Sequence, residues 1–403
     1  MLSLALRNIL RHKLRTGMTV GAIVFGVVGL IVTGGFVQDI LFQLSEATIH
    51  SQSGHLQVYR KGFYESGSRS PEKYLIDEPR IIQKGIEALP ATAETMARIS
   101  FTGLLSNGRS DLSIVGEGVE ADKEARLGSY LKISAGRQLT DRDQYGILLG
   151  DGVATSMKLK PGDPVTLLVS TTAGATNTMD FEVVGVFQTF SKEFDARAVR
   201  IPLAGSQELF ASSGANSIVV SLHRTDETEA TALTLGRQLD AQRYEIRTWR
   251  ELNDFYQKAV DLYDRQFGVL RLIVLLMVLL TVANTVNMSV FERIGEFGTL
   301  LALGNRSRDI FRLVILENAL IGLIGALTGA AAGIVVATAL TALGIEMPPL
   351  PNANTGYVVS IRVLPAAVAS AFAIGLGATV LAAILPALRV SRNQIAESLR
   401  QNH

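Results

Sequence analysis

Four long stretches of the chain contain no charged residue, whereas the remainder alternates short apolar and polar runs. About 20 helical residues, each rising ~1.5 Å, cross the ~30 Å hydrocarbon core of a bilayer. The stretches reach that length and predict transmembrane helices at Gly17–Gln38, Leu272–Phe291, Asn318–Ile345 and Val363–Leu388. A cleaved signal peptide has a shorter apolar core, so we interpret the first stretch as a retained anchor.

Residues 39–266 carry short apolar runs separated by turn signals, which is typical of a folded α+β domain. The runs predict strands at His55–Tyr59, Leu112–Val115, Gly146–Leu149, Val165–Ser170, Phe181–Gln188, Ser217–Leu222 and Tyr244–Thr248. Helices are predicted at Gly152–Leu159, with Asp151 as its N-cap, and at Asp226–Leu239. From Glu251, apolar residues at helical spacing predict a stalk helix over residues 251–271 that continues into the second span.

Lys and Arg residues in short flanks resist translocation and therefore decide the orientation. They cluster before the first span, between the second and third, and after the fourth. Residues 1–16, 292–317 and 389–403 are therefore predicted to be cytoplasmic, with 39–266 and 346–362 outside. Leucine and arginine occupy opposite faces of residues 1–16, which predicts an interfacial helix. The alternative is a positive flank without fixed structure.

Composition and missing motifs exclude several functions. Residues 38–266 hold 25 Lys and Arg against 31 Asp and Glu, leaving 13 against 6 elsewhere, so no concentrated basic face suits nucleic acid. Cysteine is absent. Without a G-x-x-x-x-G-K-[ST] loop, the chain is predicted not to hydrolyse ATP itself. The pattern offers no catalytic residue, and the spacing of His50 and His55 is too weak to predict a metal site.

Small residues recur in the third and fourth spans at a spacing of four. Such rows let helices approach closely, either within one subunit or at a dimer seam, and both alternatives stay open. The residues concerned are Gly325, Gly329, Gly333 and Gly375. Charged residues near the bilayer midplane, which ion-driven carriers use, are missing from the spans, and this disfavours a secondary transporter.

The segment from Phe291 to Gly304 carries a Glu-Arg-x-x-Glu motif, at Glu292, Arg293 and Glu296. It resembles the cytoplasmic loop of the FtsX-like permeases, the membrane subunits of MacB/LolCDE-type (type VII) ABC transporters. The resemblance extends to Leu6-Arg-Asn8, Leu149–Gly152, Lys160–Asp163, Val183–Phe187 and Pro386–Arg389. A single large outer domain without a fused ATPase is closer to the LolC/LolE branch, which releases lipoproteins, than to MacB.

The resemblance implies a membrane α-helical fold of four transmembrane helices, with a large α+β extracytoplasmic domain inserted between helices 1 and 2. It implies a second permease copy or a paralogue as partner, and a separate ATPase subunit that binds ATP and Mg²⁺. The residues expected to contact that ATPase are Glu292, Arg293, Glu296, Gly304 and Arg308. The alternative for them is a solvated charged flank of the membrane.

The implied place is the bacterial inner membrane, with the large domain in the periplasm. The implied function is ATP-driven movement of that domain, which extracts lipoproteins or other amphiphilic cargo from the outer leaflet. The loop Thr171–Asp180, with Thr171, Asn177 and Asp180, is a candidate contact for a periplasmic carrier protein, or else simply mobile. Alternatives are a mechanotransmitting regulator of a cell-wall enzyme and MacB-like efflux of peptides or small molecules. The cargo and the choice between homodimer and heterodimer stay open.

Overall fold

The computed structural model describes residues 7, 8, 11, 13–67, 71–127, 131–171, 174–349, 354 and 356–392. These residues form two compact units. The membrane unit takes its residues from Met1–Leu41, Ala259–Glu346 and Val358–His403. The outer unit takes its residues from Phe42–Lys258 and Met347–Tyr357.

The described residues contain twelve α-helices and twelve strands, which are numbered along the chain. The helices are α1 Lys13–Thr48, α2 Pro79–Glu87, α3 Ala121–Leu127, α4 Asp151–Met157, α5 Lys192–Asp195, α6 Leu203–Phe210, α7 Thr228–Gln238, α8 Trp249–Leu252, α9 Asp254–Glu292, α10 Ile294–Ala302, α11 Ser307–Ala342 and α12 Pro365–Arg392. The strands are β1 Leu56–Arg60, β2 Thr92–Ser106, β3 Asp111–Val119, β4 Lys132–Gly136, β5 Gly146–Gly150, β6 Pro164–Ser170, β7 Thr176–Gln188, β8 Ala198–Pro202, β9 Ser217–Leu222, β10 Tyr244–Thr248, β11 Glu346–Met347 and β12 Tyr357–Val358.

Four of these helices, α1, α9, α11 and α12, are long and apolar enough to cross a membrane. The sheet-rich domain is inserted between the first two of them, so the predicted fold class is confirmed. The helices run beyond the charge-free stretches, since α1 reaches Thr48 and α11 already begins at Ser307. A charged flank ends the apolar core of a span but leaves the helical backbone free to continue. Most of the predicted interfacial helix at residues 1–16 lies outside the described residues.

The stalk differs from the prediction at its outer end. Helix α8 stops at Leu252, and α9 begins at Asp254. Thr248 and Glu251 form a reciprocal capping box that starts α8. The side chain of Asn253 then accepts a hydrogen bond from the Tyr256 N–H at 3.0 Å and caps α9. The prediction of one uninterrupted helix from Glu251 was therefore wrong, because the chain ends α8 at Leu252 and starts a new capped helix at Asp254.

The outer unit is built on a mixed ten-stranded sheet with the order β10-β1-β9-β2-β3-β8-β5-β7-β4, in which β6 pairs with β2 and β7. Its central strand β2 was missed because polar residues such as Arg98 interrupt its alternation, although much of the strand is buried. Strands β4 and β8 were also missed. Asp151 is the first residue of α4 and not its N-cap, because the extended Gly150 takes the capping position.

Candidate functional site

The inner ends of the membrane helices carry a network of ion pairs centred on Arg293. This residue lies between α9 and α10 and is 7% exposed. Its Nε donates to Glu296 at 2.9 Å, and its Nη1 donates to the two carboxylate oxygens of Glu317 at 3.2 and 3.0 Å. The guanidinium group also lies 5.1 Å from the centre of the Phe297 ring. Arg293 thereby joins the beginning of α10 to α11.

Two arginines of the N-terminal segment complete the network. Arg15 Nη2 donates to both carboxylate oxygens of Glu292 at 2.6 Å, and Arg11 Nη1 donates to Glu296 at 3.2 Å. The side chains of Glu292 and Glu296 are nevertheless 43% and 44% exposed. Each glutamate is thus bound within the chain and still presents part of its carboxylate to the surroundings. Contact of Glu292, Arg293 and Glu296 with an ATPase stays a prediction.

The sequence did not reveal that Arg11, Arg15 and Glu317 belong to this network. The i, i+4 spacing of the two arginines was a usable signal, as was Glu317 at the edge of an apolar span. Neither signal says which helices meet. A small cavity of about 40 Å³ lies beside the network. Its polar lining includes Arg15, Thr19, Ser289, Arg293, Glu317 and Asn318.

A tight turn follows the network. Helix α10 ends at Ala302, and Gly304 adopts φ +95°, a conformation that strongly favours glycine. The Asn305 side chain donates to the Leu300 carbonyl at 3.1 Å, and Asp309 accepts from the Arg306 N–H at 3.0 Å. Arg308, the second residue of α11, is exposed. The chain therefore turns at Gly304 and presents a cationic side chain shortly after the turn.

The four glycines of the small-residue rows pack inside the chain. An added Cβ atom at Gly325 would lie 3.0 Å from Ile23, and one at Gly329 would lie 2.9 Å from Val27. At Gly333 it would lie 2.8 Å from Ile31, and at Gly375 it would lie 2.7 Å from Val27. All these partners belong to α1. Their contacts support packing within one subunit, the first of the two alternatives.

The outer hairpin is tighter than the sequence predicted. Strand β7 begins at Thr176, so that Asn177 and Asp180 are strand residues paired with Val169 and Thr166. Asn177 Nδ2 donates to the Leu209 carbonyl at 2.9 Å, and Asp180 accepts from the Thr166 hydroxyl at 2.6 Å. The predicted loop Thr171–Asp180 was therefore wrong in extent, because threonine and methionine continue the strand. The connection that contains Thr171 spans residues 171–175.

A buried cluster of four charged side chains holds the end of the first helix in the outer unit. After Thr48, the helix continues as a π-helical turn to Ser53. Arg98 Nη1 donates to the Gln52 carbonyl at 2.5 Å, and Arg200 Nη2 donates to the Ser51 carbonyl at 2.9 Å. Cationic groups at the carbonyl end of a helix satisfy its unpaired acceptors and oppose its dipole. We call the four charged residues Arg98, Arg200, Glu117 and Glu124 the arginine clamp.

Two glutamates neutralise the arginines of the clamp. Glu117 accepts from Arg200 Nε at 2.9 Å, and Glu124 accepts from Arg98 Nη2 at 2.6 Å. Arg98 and Arg200 are each 2% exposed. Burial alone would raise the pKa of Glu124, but the two guanidinium groups hold it below its usual value. Glu124 thus stays ionised, and each arginine of the clamp has a buried carboxylate beside it.

The two histidines near the clamp are occupied by other contacts. His55 Nδ1 accepts from the Leu222 N–H at 3.1 Å, so its Nε2 carries the proton and faces the Thr225 hydroxyl at 3.2 Å. His50 Nε2 lies 3.3 Å from Glu46. No group of three metal-ligating side chains lies together in the described part of the chain. Burial lowers the pKa of His55 from 6.5 to about 4.

Comparison with known families accounts for both units. Residues 16–236 match the MacB-like periplasmic core domain, and residues 268–395 match the FtsX-like permease C-terminal region. Four candidate spans with this domain inserted after the first define an ABC-type membrane permease. The chain belongs to the FtsX-like permeases with a MacB-like periplasmic core domain.

Named relatives agree with this family. The lipoprotein-releasing system transmembrane protein LolC of Neisseria meningitidis is 25% identical over 97% of both chains. The macrolide export ATP-binding/permease protein MacB of Campylobacter jejuni is 24% identical over 87% of this chain and 55% of that protein. The uncharacterized ABC transporter permease MJ1507 of Methanocaldococcus jannaschii is 24% identical over 56% of each chain. The chain is thus an ABC transporter permease of the LolC and MacB type.

Proposed function

We propose that the chain is the permease subunit that couples ATP hydrolysis by a separate ATPase to movement of its outer domain. The observation that carries the proposal is the pair of continuous helices α1 and α9. Their inner ends enter the network of Arg15, Glu292 and Arg293. Near their outer ends, Asn253 Nδ2 donates to the Thr48 hydroxyl at 3.1 Å, just before the segment that the arginine clamp holds. A displacement at one end of either helix is therefore carried along its length.

The ATPase supplies what this chain is not expected to hold. It would bind ATP and Mg²⁺ and contact the exposed faces of Glu292 and Glu296, together with the turn at Gly304 and Arg308. A second copy of the chain or a paralogue would complete the permease. The assembly would lie in the bacterial inner membrane with the outer domain in the periplasm. Nucleic acid has no place in this function.

We propose lipoproteins or other amphiphilic molecules as the cargo, taken from the outer leaflet of the inner membrane. Similarity to LolC along 97% of both chains supports this cargo. The spans contain no charged path for a hydrophilic molecule, so lateral entry from the lipid is more consistent with their composition. A periplasmic carrier would receive the cargo, and Thr171, directly after β6, is a candidate contact.

The test is ATP-dependent release from proteoliposomes that contain the permease with its ATPase and a triacylated fluorescent peptide. We expect the peptide to leave the membrane only with hydrolysable ATP, and the same peptide without its acyl chains to serve as the control. Stimulated ATP hydrolysis without any release would contradict transport of acylated cargo. It would instead favour a mechanotransmitting regulator, whose output is the movement of the outer domain.

Efflux of peptides or small molecules is the second candidate. The 24% identity to MacB over 87% of this chain favours it. A macrolide would then stimulate ATP hydrolysis and accumulate inside inverted vesicles, whose lumen corresponds to the periplasmic side, whereas the acylated peptide would not. Testing both compounds in one preparation separates the two candidates.

A further inference from the structure

The connection between α11 and α12 contains a residue that belongs to the outer unit. Asn354 lies in this connection and contacts the end of β7 and the turn after it. Its Nδ2 donates to the Thr189 carbonyl at 3.0 Å and to Asp195 Oδ2 at 2.5 Å, and its backbone N–H donates to the Phe190 carbonyl at 3.1 Å. The side chain and the backbone N–H of Asn354 thus make three hydrogen bonds to a single stretch of seven residues, 189–195.

The acceptors of these bonds are held firmly. Asp195 also accepts from the Thr189 N–H at 2.9 Å and from the Thr189 hydroxyl at 2.7 Å. Thr189 is 1% exposed and Asp195 is 2% exposed. Ser191 caps the short helix α5 by accepting from the Phe194 N–H at 3.3 Å. The receiving site is therefore a buried, hydrogen-bonded turn, and a residue bound to it is bound to the sheet through β7 and β8.

The amide of Asn354 suits this site better than a charged or apolar side chain would. Both of its N–H donors face acceptors, one a neutral carbonyl and the other a buried carboxylate. Burial raises the pKa of Asp195, and the nearby Asp151 adds to that effect. A second carboxylate at position 354 would face Asp195 without a donor, and an apolar residue would leave a buried carboxylate oxygen with fewer partners.

We propose that Asn354 is a positioning residue that transmits movement of α11 and α12 to the outer domain through the turn 189–195. This connection is separate from the ones made by α1 and α9. It rests on the proposed function, since it requires that nucleotide-driven movement reaches the outer domain. Asn354 lies between α11 and α12 along the chain, so this residue connects both helices to the turn.

The first experiment compares hydrogen exchange in the assembled permease and ATPase, without nucleotide and trapped with ATP and vanadate. We expect trapping to change exchange over residues 181–202 in the unaltered complex. Asn354→Ala should reduce that change at least fivefold while ATP hydrolysis continues. Asn354→Asp should reduce it further. Glu346→Gln, an exposed change in the same connection, should leave it intact.

A redox-reversible variant separates positioning from a general loss of stability. The chain has no cysteine, so Phe190→Cys combined with Asn354→Cys introduces the only pair. The backbones of these residues are hydrogen-bonded, which brings their Cα atoms within reach of a disulfide. Reduced, the double variant should lose the response over residues 181–202. Oxidised, it should regain the response, because the covalent bond replaces the two side-chain hydrogen bonds of Asn354. Phe190→Cys alone should not depend on the redox state.

The outcomes distinguish the two claims. If trapping changes nothing in the unaltered complex, the proposed function fails. If the unaltered complex responds and Asn354→Ala responds equally, Asn354 does not transmit movement. If the reduced double variant has lost the response and oxidation does not restore it, the contact is structural only, and the proposal is overturned.

Discussion

The arginine clamp and the outermost pairs of the inner network, Arg11–Glu296 and Arg15–Glu292, use the same chemistry in different environments. Arg98 and Arg200 are each 2% exposed, whereas the Arg11 and Glu296 side chains are 69% and 44% exposed. A water-exposed pair contributes ~0–1 kcal/mol and is easily exchanged for another partner. A buried charge that loses its partner costs about 3–5 kcal/mol. The pairs that Glu292 and Glu296 make with Arg15 and Arg11 are therefore suited to being remade with a partner subunit, whereas the clamp is suited to staying closed.

The largest expected effect is the loss of one clamp arginine. Arg200→Ala leaves Glu117 without its 2.9 Å partner and the Ser51 carbonyl without a donor, so we expect the free energy of unfolding to fall by about 3–5 kcal/mol. Chemical unfolding of the full chain in detergent measures it. Arg197→Ala is the matched control, because Arg197 is 60% exposed with a weak 4.0 Å pair. A loss below 1 kcal/mol at Arg200 would remove the contrast with the inner network.

The clamp also shows how far sequence reasoning reached. Charge-free stretches and period-two runs predicted four helices and most strands, because those patterns depend only on local spacing. Arg98 stood in a strand that was missed, since a buried arginine looks like a break in an apolar pattern. Its partner Glu117 lies in strand β3, which pairs in parallel with β8, the strand that carries Arg200. No spacing along the chain encodes such long-range register.

The same limit applies to the membrane unit. The motif from Glu292 to Glu296 was found through family resemblance, and the turn at Gly304 followed from its residue type. Which arginine faces which glutamate depends on how the helices pack, and therefore Arg15 and Glu317 were missed. The glycine rows predicted close packing but did not identify α1 as the partner, because a small residue fits many neighbours.

The second prediction concerns the pH dependence of stability that the buried His55 produces. The pKa of His55 is lowered from 6.5 to about 4, so between these values the unfolded chain binds a proton that the folded chain does not. Stability should therefore fall as pH falls through this window, by up to about 3 kcal/mol. Unfolding at pH 7 and pH 4.5 measures the change.

The control for this prediction keeps the hydrogen bonds without the titration. In His55→Gln, the amide oxygen accepts from Leu222 and the amide nitrogen donates to Thr225, so the difference between the two pH values should shrink relative to the unaltered chain. His223→Gln changes an exposed histidine and should keep the full difference. Equal pH dependence in all three proteins would show that other groups dominate.

The third prediction tests the close packing of α11 against α1 at Gly329. Gly329→Leu places a side chain where a Cβ atom alone would lie 2.9 Å from Val27 and 3.1 Å from the Val24 Cα atom. Overpacking of this kind costs about 1–3 kcal/mol, which thermal unfolding in detergent detects. Gly377→Leu is the control, because no atom lies within 4 Å of a Cβ there. A Gly329 variant that folds normally but loses only self-association would return these glycines to a dimer seam.

The smallest effect on stability, and the sharpest on coupling, is expected at the inner network. Glu292→Ala with Glu296→Ala removes partly exposed pairs, so we expect less than about 2 kcal/mol of destabilisation in total. If these carboxylates also contact the ATPase, ATP-dependent release should fall at least tenfold while ATP hydrolysis persists. Paired measurements of hydrolysis and release in proteoliposomes test this. Unchanged release would leave them a solvated flank of the membrane.

A charge swap then separates two roles of the Arg15–Glu292 pair, namely joining two helices within the chain and contacting the ATPase. Arg15→Glu with Glu292→Arg restores an ion pair inside the chain and reverses the charge that position 292 presents to a partner. If the pair only joins α1 to α9, the swap should restore release, because an ion pair again connects the two helices. Docking predicts that release stays low although the chain is as stable as before, since an arginine now meets the surface that recognised a carboxylate. Restored release would show that the Arg15–Glu292 pair, like those of the arginine clamp, stays within the chain, and the contrast between exchangeable and fixed ion pairs would be lost.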